Sequence, residues 1–272
     1  MATPTYQPHA QTSKAVAWYQ PTLIQLPTPT KDLFLRYTDL KTEDAVKAHI
    51  LAVREKAWQI HPYPCIGLFK FLNFSIHLSP IYPEILNRIR AGQTLLDLGC
   101  CLGQDLRKLA FDTGTSSNLI GADIEASFLQ LGYELFQDRA SLQAHFVTGS
   151  IFDEDFLATR KGSIDIIYLG SFLHLFNLAK QRVIVSRLEE LLVPRAGSVV
   201  FGRHIAALEG GPFFMESLGW DMFRHSEVTI RELWGAGWEV HSQLEEYESA
   251  TQESGNWQGD TTKQMTFWAI RR

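Results

Sequence analysis

Residues 95–104 read Leu-Leu-Asp-Leu-Gly-Cys-Cys-Leu-Gly-Gln and join a short apolar run to a turn with two glycines. Glycine lets the backbone turn sharply and pass close to a ligand. The residues that follow, Leu106–Phe111, are typical of a helix, and the exposed N–H groups at a helix start favour a carboxylate or a phosphate. The stretch therefore predicts a strand, a glycine turn and a helix that together face a ligand.

Short apolar runs alternate with helical segments after this turn, which is the signature of a parallel α/β sheet. The strands expected are Thr94–Leu98, Leu119–Asp123, Ala144–Thr148, Asp165–Leu169 and Ser198–Arg203, with helices over about Glu125–Arg139 and Ala179–Leu192. Two further strands, Trp238–Tyr247 and Gln264–Ile270, have no helix between them. That arrangement predicts an antiparallel pair that closes the sheet.

Asp123 stands at the end of the second predicted strand. It follows Gly103 by about 20 residues, the distance at which an acid accepts hydrogen bonds from the ribose hydroxyls of a nucleoside cofactor. An acid at the carboxyl end of a strand also has no packing reason to be there. Together with the glycine turn, it predicts a ribose-containing ligand across the carboxyl ends of the strands.

A second acid, Asp97, lies inside the first strand end and gives the spacing D-x-G-x-C-x-G, with Cys101 at the middle glycine position. This spacing resembles motif I of the class I S-adenosylmethionine-dependent methyltransferases, D/E-x-G-x-G-x-G. The resemblance implies an α/β, Rossmann-like sheet of seven strands in the order 3-2-1-4-5-7-6, with the last strand antiparallel. It also implies S-adenosyl-L-methionine as the cofactor.

The resemblance assigns nine residues to the cofactor, namely Asp97, Gly99, Gly103, Asp123, Ile124, Ser150, Ile151, Leu169 and Gly170. The two glycines pass under its methionine part, Asp123 holds the ribose and Ile124 packs on the adenine. Asp97 has two alternative roles, because it either contacts the cofactor or anchors the glycine turn.

The other four positions follow the third and fourth strands. Ser150 stands where the family often has an acid, and it takes the adenine amino group while Ile151 covers the other face of the ring. Leu169 and Gly170 match motif IV of the family and border the sulfonium. The resemblance therefore spreads the predicted cofactor site over the ends of four strands.

Two longer runs look like the fungal methyltransferases of meroterpenoid biosynthesis. One begins at Leu96 and reads Leu-Asp-Leu-Gly-Cys-Cys-Leu-Gly-Gln-Asp-Leu-Arg-Lys-Leu, and the other begins at Leu169 and reads Leu-Gly-Ser-Phe-Leu-His-Leu-Phe. This resemblance implies an O-methyltransferase that forms a methyl ester on a carboxylic acid of an apolar intermediate, and it favours a homodimer. Two alternatives stay open: methylation of a hydroxyl or amine of another metabolite, and a methyltransferase-fold cyclase without methyl transfer.

Candidate acceptor residues follow the fourth and fifth strands. His174 and His204 are candidate catalytic bases, each weighed against a purely packed histidine. Residues 209–225 are dense in aromatic side chains and predict either the wall of an apolar pocket or a satellite core. The substrate-binding candidates are Phe213, Phe214, Met215, Trp220, Arg203 and Arg224, with His225 beside them. The arginines are expected to pair with an acceptor carboxylate.

Residues 1–90 differ from the rest and predict an N-terminal arm and helical lid, before a methyltransferase domain over 91–272 with its 209–225 insertion. Thr42 is expected to cap a helix with Val46, Ile50, Val53 and Ala57 on one face. Ser79-Pro80 is expected to start a second helix that runs toward Arg90. The aromatic side chains of this segment serve either a lid or a dimer interface.

The composition excludes several classes of protein. Thirty acidic and 25 basic residues give the 272-residue chain a net charge of −5, without the basic excess of a nucleic-acid-binding surface. Residues 1–30 do not resemble a signal peptide, and no apolar run reaches the roughly 20 residues that span a bilayer. Three cysteines and the lack of a His-x-x-x-His pair predict a reduced, cytoplasmic protein without a metal site.

Overall fold

The structure, a computed structural model, describes residues 13–215, 219–247 and 262–272, without the Trp220 side chain. Its helices are α1 (Thr28–Tyr37), α2 (Glu43–Ile60), α3 (Pro64–Gly67), α4 (Tyr82–Arg90), α5 (Gln104–Thr113), α6 (Ala126–Phe136), α7 (Leu178–Leu191) and α8 (Glu227–Trp234). Its strands are β1 (Leu95–Leu98), β2 (Leu119–Asp123), β3 (His145–Thr148), β4 (Ile166–Gly170), β5 (Val199–Ala207), β6 (Gly211–Met215), β7 (Trp220–Arg224), β8 (Trp238–Glu246) and β9 (Thr262–Arg271). No helix in these ranges has the length and apolarity needed to cross a bilayer.

Seven strands form the main sheet in the order β3-β2-β1-β4-β5-β9-β8. Neighbours from β3 to β5 are parallel, whereas β9 is antiparallel to both β5 and β8. The predicted order, with an antiparallel closing pair, is therefore confirmed. Because the carboxyl ends of parallel strands meet at one edge, the turn after β1 and the end of β2 lie side by side.

The central strand β1 is buried on both faces, as its continuous apolar run predicts. Leu96 packs in one core cluster with Ile167 and with Leu188 of α7. Leu95 points to the opposite face, into a second cluster with Ile85 of α4 and Leu106 of α5. Helices therefore cover both faces of the sheet and fix the position of the turn after β1.

Helix α4 begins at Tyr82, three residues after the predicted cap at Ser79. Ser79 is extended, and its carbonyl accepts a hydrogen bond from the Tyr82 N–H in a turn before the helix. Pro83 occupies the first helical turn, where its missing N–H costs nothing. The predicted start was therefore early, because the proline that begins this helix is Pro83 and not Pro80.

The N-terminal segment over residues 28–78, here called the N-terminal cap, contains α1 to α3 and two 3₁₀ turns, Lys70–Asn73 and Ser75–Leu78. The prediction for α2 is confirmed: the Thr42 hydroxyl accepts a hydrogen bond from the Ala45 N–H, and the predicted apolar face is buried. Aromatic side chains of the cap share a core with Leu102 and with Phe128 of α6. These side chains are buried within their own chain, over the turn that follows β1.

Candidate active site

The turn after β1 has a backbone that requires glycine at two positions. Gly99 and Gly103 have φ angles of 77° and 65°, in the left-handed region that side chains rarely adopt. A Cβ on Gly99 would lie 2.5 Å from the Phe172 ring, and one on Gly103 would lie 2.4 Å from Nη1 of Arg107. The turn is therefore a cradle of bare backbone at the carboxyl edge of the sheet.

Asp123 holds this cradle in place. Its Oδ2 accepts a hydrogen bond from the Cys101 N–H at 2.8 Å, and its Oδ1 accepts one from the Glu125 N–H at 2.9 Å. Cys101 has a φ of 52°, which is strained for a residue with a side chain, so the bond to Asp123 helps to keep it there. Burial raises the pKa of Asp123, and the two N–H donors oppose that rise. The anchoring role that was weighed for Asp97 therefore belongs to Asp123.

Asp97 is buried, with 1% of its surface exposed, and its carboxyl group forms no hydrogen bond to any described residue. Burial raises its pKa well above the usual value, and the charges of Asp105 and Asp123 add to the rise. A buried polar group without a partner is costly unless a ligand satisfies it. The carboxyl group of Asp97 is therefore available to accept a hydrogen bond from a group other than the described residues.

Of the remaining cofactor candidates, one is exposed at the edge of the sheet and the others are partly or fully buried. Ile124 is 56% exposed at the end of β2, beside the cradle. Ser150 is half-buried, and its hydroxyl accepts a hydrogen bond from the Phe152 N–H at 3.2 Å. The side chains of Ile151 and Leu169 lie in the core, and a Cβ on Gly170 would meet the Tyr168 ring at 2.8 Å. The structure brings Ile124 to the open edge with the cradle, and the roles of all these residues stay predictions.

Three buried histidines lie in a row: His174 after β4, His204 within β5, which runs past the predicted end at Arg203, and His225 directly after β7. The ring centroids of His174 and His204 are 6.4 Å apart, as are those of His204 and His225. Burial lowers the pKa of His174 to about 3, helped by the charges of Arg224 and Lys70, and that of His225 to about 4. Burial also lowers the pKa of His204 well below its usual value. All three rings are therefore neutral at pH 7.

His204 and His225 differ in their hydrogen bonding. His225 contacts Gln181 Oε1 through Nε2 at 2.5 Å and Thr229 Oγ1 through Nδ1 at 3.0 Å. Neither ring nitrogen of His204 has a partner among the residues that the structure describes. His225 is therefore held as a structural residue, whereas His204 is packed against the Phe267 ring, with centroids 5.2 Å apart.

Cations converge on Tyr247, just after β8. The charges of Arg203 and Arg224 both act on the Tyr247 hydroxyl, whose pKa burial raises to about 12. Arg203 Nη2 donates to Glu245 Oε2 at 3.1 Å, and Arg224 Nη1 donates to Thr262 Oγ1 at 3.0 Å. The structure therefore brings the two predicted arginines together.

Lys70 of the N-terminal cap joins these arginines, and sequence reasoning missed it. Its amino group donates to the Tyr247 hydroxyl and lies 4.2 Å from the centroid of that ring. The two residues are 177 positions apart, and no motif links them. Only the packing of the cap against the sheet edge brings this lysine to the site.

The aromatic 209–225 segment folds as an antiparallel hairpin of β6 and β7. Phe213 stacks on the Arg224 guanidinium at 3.3 Å, and Met215 is buried. Phe214 is 61% exposed on the opposite face, because successive strand residues alternate, so one wall cannot contain all three predicted residues. The predicted contact of the Trp220 side chain lies outside the described part of the structure.

Comparisons with known proteins match both the N-terminal part of the chain and much of the sheet. The family model "Meroterpenoid methyltransferase N-terminal domain" matches residues 18–72, and the model "Methyltransferase domain" matches residues 95–195. The chain is 37% identical to the O-methyltransferase atr3 of Stereocaulon alpinum, over 98% of this chain and 80% of that protein. It is also 37% identical to the asnovolin E/chermesin D methyltransferase nvfJ of Aspergillus novofumigatus, over 70% of this chain and 69% of that protein.

Solved structures resemble the fold at low sequence identity. A putative sarcosine dimethylglycine methyltransferase from Galdieria sulphuraria has a TM-score of 0.52 and 15% identity, over 69% of this chain and 84% of that one. The phosphoethanolamine N-methyltransferase 2 of Haemonchus contortus, solved with S-adenosylhomocysteine, has a TM-score of 0.52 and 13% identity, over 89% of this chain and 60% of that one. These likenesses support the Rossmann-like architecture alone.

Proposed function

Because this chain belongs to the S-adenosylmethionine-dependent methyltransferases, alongside the fungal meroterpenoid enzymes, we propose that it forms a methyl ester on a carboxylic acid of an apolar, meroterpenoid-type intermediate. Its cofactor is S-adenosyl-L-methionine, whose positive sulfur makes the methyl carbon electrophilic. Relatives that are O-methyltransferases make oxygen the expected acceptor atom. The carboxylate and the substrate class are the proposal.

The residues at the edge of the sheet fit this cofactor. Gly99 and Gly103 allow a turn that no residue with a side chain could form, since a Cβ would collide with Phe172 or Arg107, and this turn presents bare backbone to the methionine part. Each oxygen of the Asp123 carboxylate accepts one hydrogen bond in the structure, and each has a second lone pair for a ribose hydroxyl. The buried Asp97 carboxyl group has no partner among the described residues, which suits a cationic amino group. We assign the cofactor to these four residues, with Ile124 against the adenine.

The burial of the two candidate bases, His174 and His204, is the observation that carries the carboxylate proposal. A hydroxyl or phenol must lose a proton during methylation, and a phenol has a pKa of about 10. His174 has a pKa of about 3 and His204 one well below its usual value, so both are poor proton acceptors. A carboxylic acid is already ionised at pH 7 and needs no base. The site therefore suits a carboxylate better than a hydroxyl.

The surroundings support an apolar acid in the same place. Arg203, Arg224 and Lys70 supply positive charge around Tyr247. Phe213 and Met222 are neighbours across the hairpin and supply apolar surface beside Arg224. A cationic end next to an apolar wall matches an acceptor with a carboxylate at one end and hydrocarbon behind it.

The task of the protein is then alignment and the exclusion of water. The acceptor oxygen must lie in line with the bond between sulfur and the methyl carbon, and such alignment can supply about 7–11 kcal/mol of the barrier. The cations orient the carboxylate, and the N-terminal cap covers the cradle through Leu102 and its neighbours. No side chain needs to move a proton in this scheme.

A labelling experiment tests the proposal. The protein is incubated with isotope-labelled S-adenosylmethionine and a panel of prenylated aromatic acids, and products are searched for a mass gain of one methyl group. A methyl ester releases its label in mild base, whereas a methyl ether or methylamine retains it. Retained label in the product would refute the ester. The homodimer and the cytoplasmic location stay predictions, and light scattering and fluorescence imaging test them.

A further inference from the structure

Lys70 is held in position by an unusual stretch of backbone. It begins a 3₁₀ turn whose flanking residues, Phe69 and Phe74, have φ angles of 55° and 45°. Residues with side chains rarely adopt such angles, and strain of this kind persists only where the surrounding packing enforces it. The Phe69 ring packs under the Arg54 guanidinium at 4.4 Å, and Phe74 is buried. The cap therefore directs this lysine out of its own core.

Lys70 reaches the sheet edge from the cap, where three elements of the methyltransferase fold meet. Its ammonium donates to the Tyr247 hydroxyl after β8 and interacts electrostatically with the Cys65 thiol of α3, Arg203 of β5 and His174 after β4. The charges of Lys70 and Asp123 both act on the Cys65 thiol. Lys70 therefore lies on the border between the cofactor cradle and the acceptor side.

The ammonium of Lys70 has no acidic partner among the residues that the structure describes. Within residues 13–215, 219–247 and 262–272, no carboxylate oxygen lies within 4.0 Å of its nitrogen. A desolvated cation without a counter-ion is unfavourable, unless a ligand supplies the negative charge. Burial, together with the nearby Arg203 charge, lowers the pKa of Lys70 to about 8. An anion bound there would supply the interaction that no described residue makes.

We propose that Lys70, seated against Tyr247, binds the carboxylate of the acceptor, so that the N-terminal cap supplies a specificity-determining residue to the reaction. This inference rests on the proposed function and extends it to one residue. The methionine carboxylate of the cofactor has the same chemistry. The experiment must therefore separate the two sources.

The probe is 3-farnesyl-4-hydroxybenzoate, which carries a carboxylate, a phenol and an apolar chain in one molecule. Calorimetry measures how much more tightly the wild-type chain, with S-adenosylhomocysteine present, binds this acid than the matching carboxamide. We expect a preference of roughly 10- to 100-fold, the value of one charge-assisted hydrogen bond. Lys70→Met should remove most of the preference and leave the smaller part that Arg203 and Arg224 contribute, whereas Lys70→Arg should keep most of it. The matched control is Lys56→Met, an exposed lysine of the same cap that pairs with Glu134.

Kinetics with the same probe add two readouts that a structural role would not move. Lys70→Met should raise KM for the acid roughly 10- to 100-fold with little change in kcat, because the contact exists before and during the transfer. In the wild type, kcat/KM should fall as pH rises through about 8, since Lys70 loses its charge there. Lys70→Arg should remove this fall, because arginine stays charged. Thermal melting checks that all variants fold.

Three outcomes would overturn the inference: equal binding of acid and carboxamide by the wild type, a preference of unchanged size in Lys70→Met, or a loss that falls on S-adenosylhomocysteine affinity instead. The last would assign Lys70 to the cofactor carboxylate. Failure of the proposed function looks different, because the wild type would then methylate the phenol and yield a base-stable ether. The preference for the acid over the carboxamide still tests the role of Lys70 in that case, because it does not depend on which oxygen receives the methyl group.

Discussion

The backbone N–H of Cys101 donates a hydrogen bond to the Asp123 carboxylate over 2.8 Å. The bond ties the turn after β1 to the end of β2, the two places to which we assign the cofactor. One side chain therefore shapes the cradle and, in the proposed assignment, also binds the ribose. Cys101 stands where the family motif has glycine, and this bond holds its backbone at a φ of 52°.

Asp123→Ala should weaken binding of S-adenosylmethionine roughly 10- to 100-fold or more. It removes charge-assisted hydrogen bonds worth about 1.5–3 kcal/mol each and frees the Cys101 backbone. Calorimetry measures the affinity, and Glu154→Ala, an exposed acid beyond β3, is the control. An unchanged affinity for Asp123→Ala would remove the ribose assignment.

Gly103→Ala should destabilise the protein more than Gly114→Ala. Both glycines have positive φ, at 65° and 75°, so both substitutions carry a backbone cost of about 1 kcal/mol. Only at Gly103 does the added Cβ collide, at 2.4 Å from Nη1 of Arg107, whereas nothing lies within 4 Å at Gly114. Urea unfolding of the two variants measures the difference, and equal losses would show that the space around Gly103 is not restricted.

His174→Gln should leave most of the activity, because a carboxylate acceptor needs no base. The burial that lowers the pKa of His174 to about 3 also makes it a poor proton acceptor. We expect kcat within about tenfold of the wild type, the loss reflecting orientation alone. Single-turnover kinetics with saturating cofactor provide the measurement. A fall of several orders of magnitude with intact cofactor affinity would point to a hydroxyl acceptor.

The buried histidines predict a loss of stability in mild acid. Their folded pKa values lie below the unfolded value of about 6.5, so this contribution is complete above pH 6.5 and declines as the pH falls toward the folded pKa, about 3 for His174 and about 4 for His225. For each histidine, the free energy of unfolding falls by at most about 2 kcal/mol between pH 7 and pH 5. Asp97 and Asp123, whose pKa values are raised, act in the opposite direction.

The variant His204→Leu separates the effect of a buried histidine on the pH dependence of stability from the opposite effect of Asp97 and Asp123. The ring of His204 is buried and forms no hydrogen bond to a described residue, so its replacement by leucine should cost little stability. Unfolding free energies at pH 7 and pH 5 should differ less in this variant than in the wild type, by up to about 2 kcal/mol. An identical pH dependence would mean that His204 titrates in the folded protein as it does in the unfolded one.

Some elements were predictable from short stretches because their signals are local. Leu119–Asp123 was predicted with the bounds that β2 has, since a buried parallel strand is a short apolar run that ends at a polar residue. The hairpin of β6 and β7 was predicted only as an aromatic insertion. Its strands are five residues each, and Phe214 breaks the expected wall by facing the other way. Alternation across so short a pair depends on a register that no local pattern specifies.

The amino-acid sequence alone determined the alternation of strands and helices, the glycine turn and the acid at its edge, because backbone conformation and apolar runs are encoded by neighbouring residues. The order of the strands followed from the resemblance to the methyltransferase family. Tertiary structure alone decided that Asp123 anchors Cys101, that His174 and His204 are neutral, and that Lys70 meets Tyr247 across 177 residues. The physical reason is that desolvation and charge contacts belong to the packed surroundings of a group. Those surroundings form only when distant segments of the chain come together.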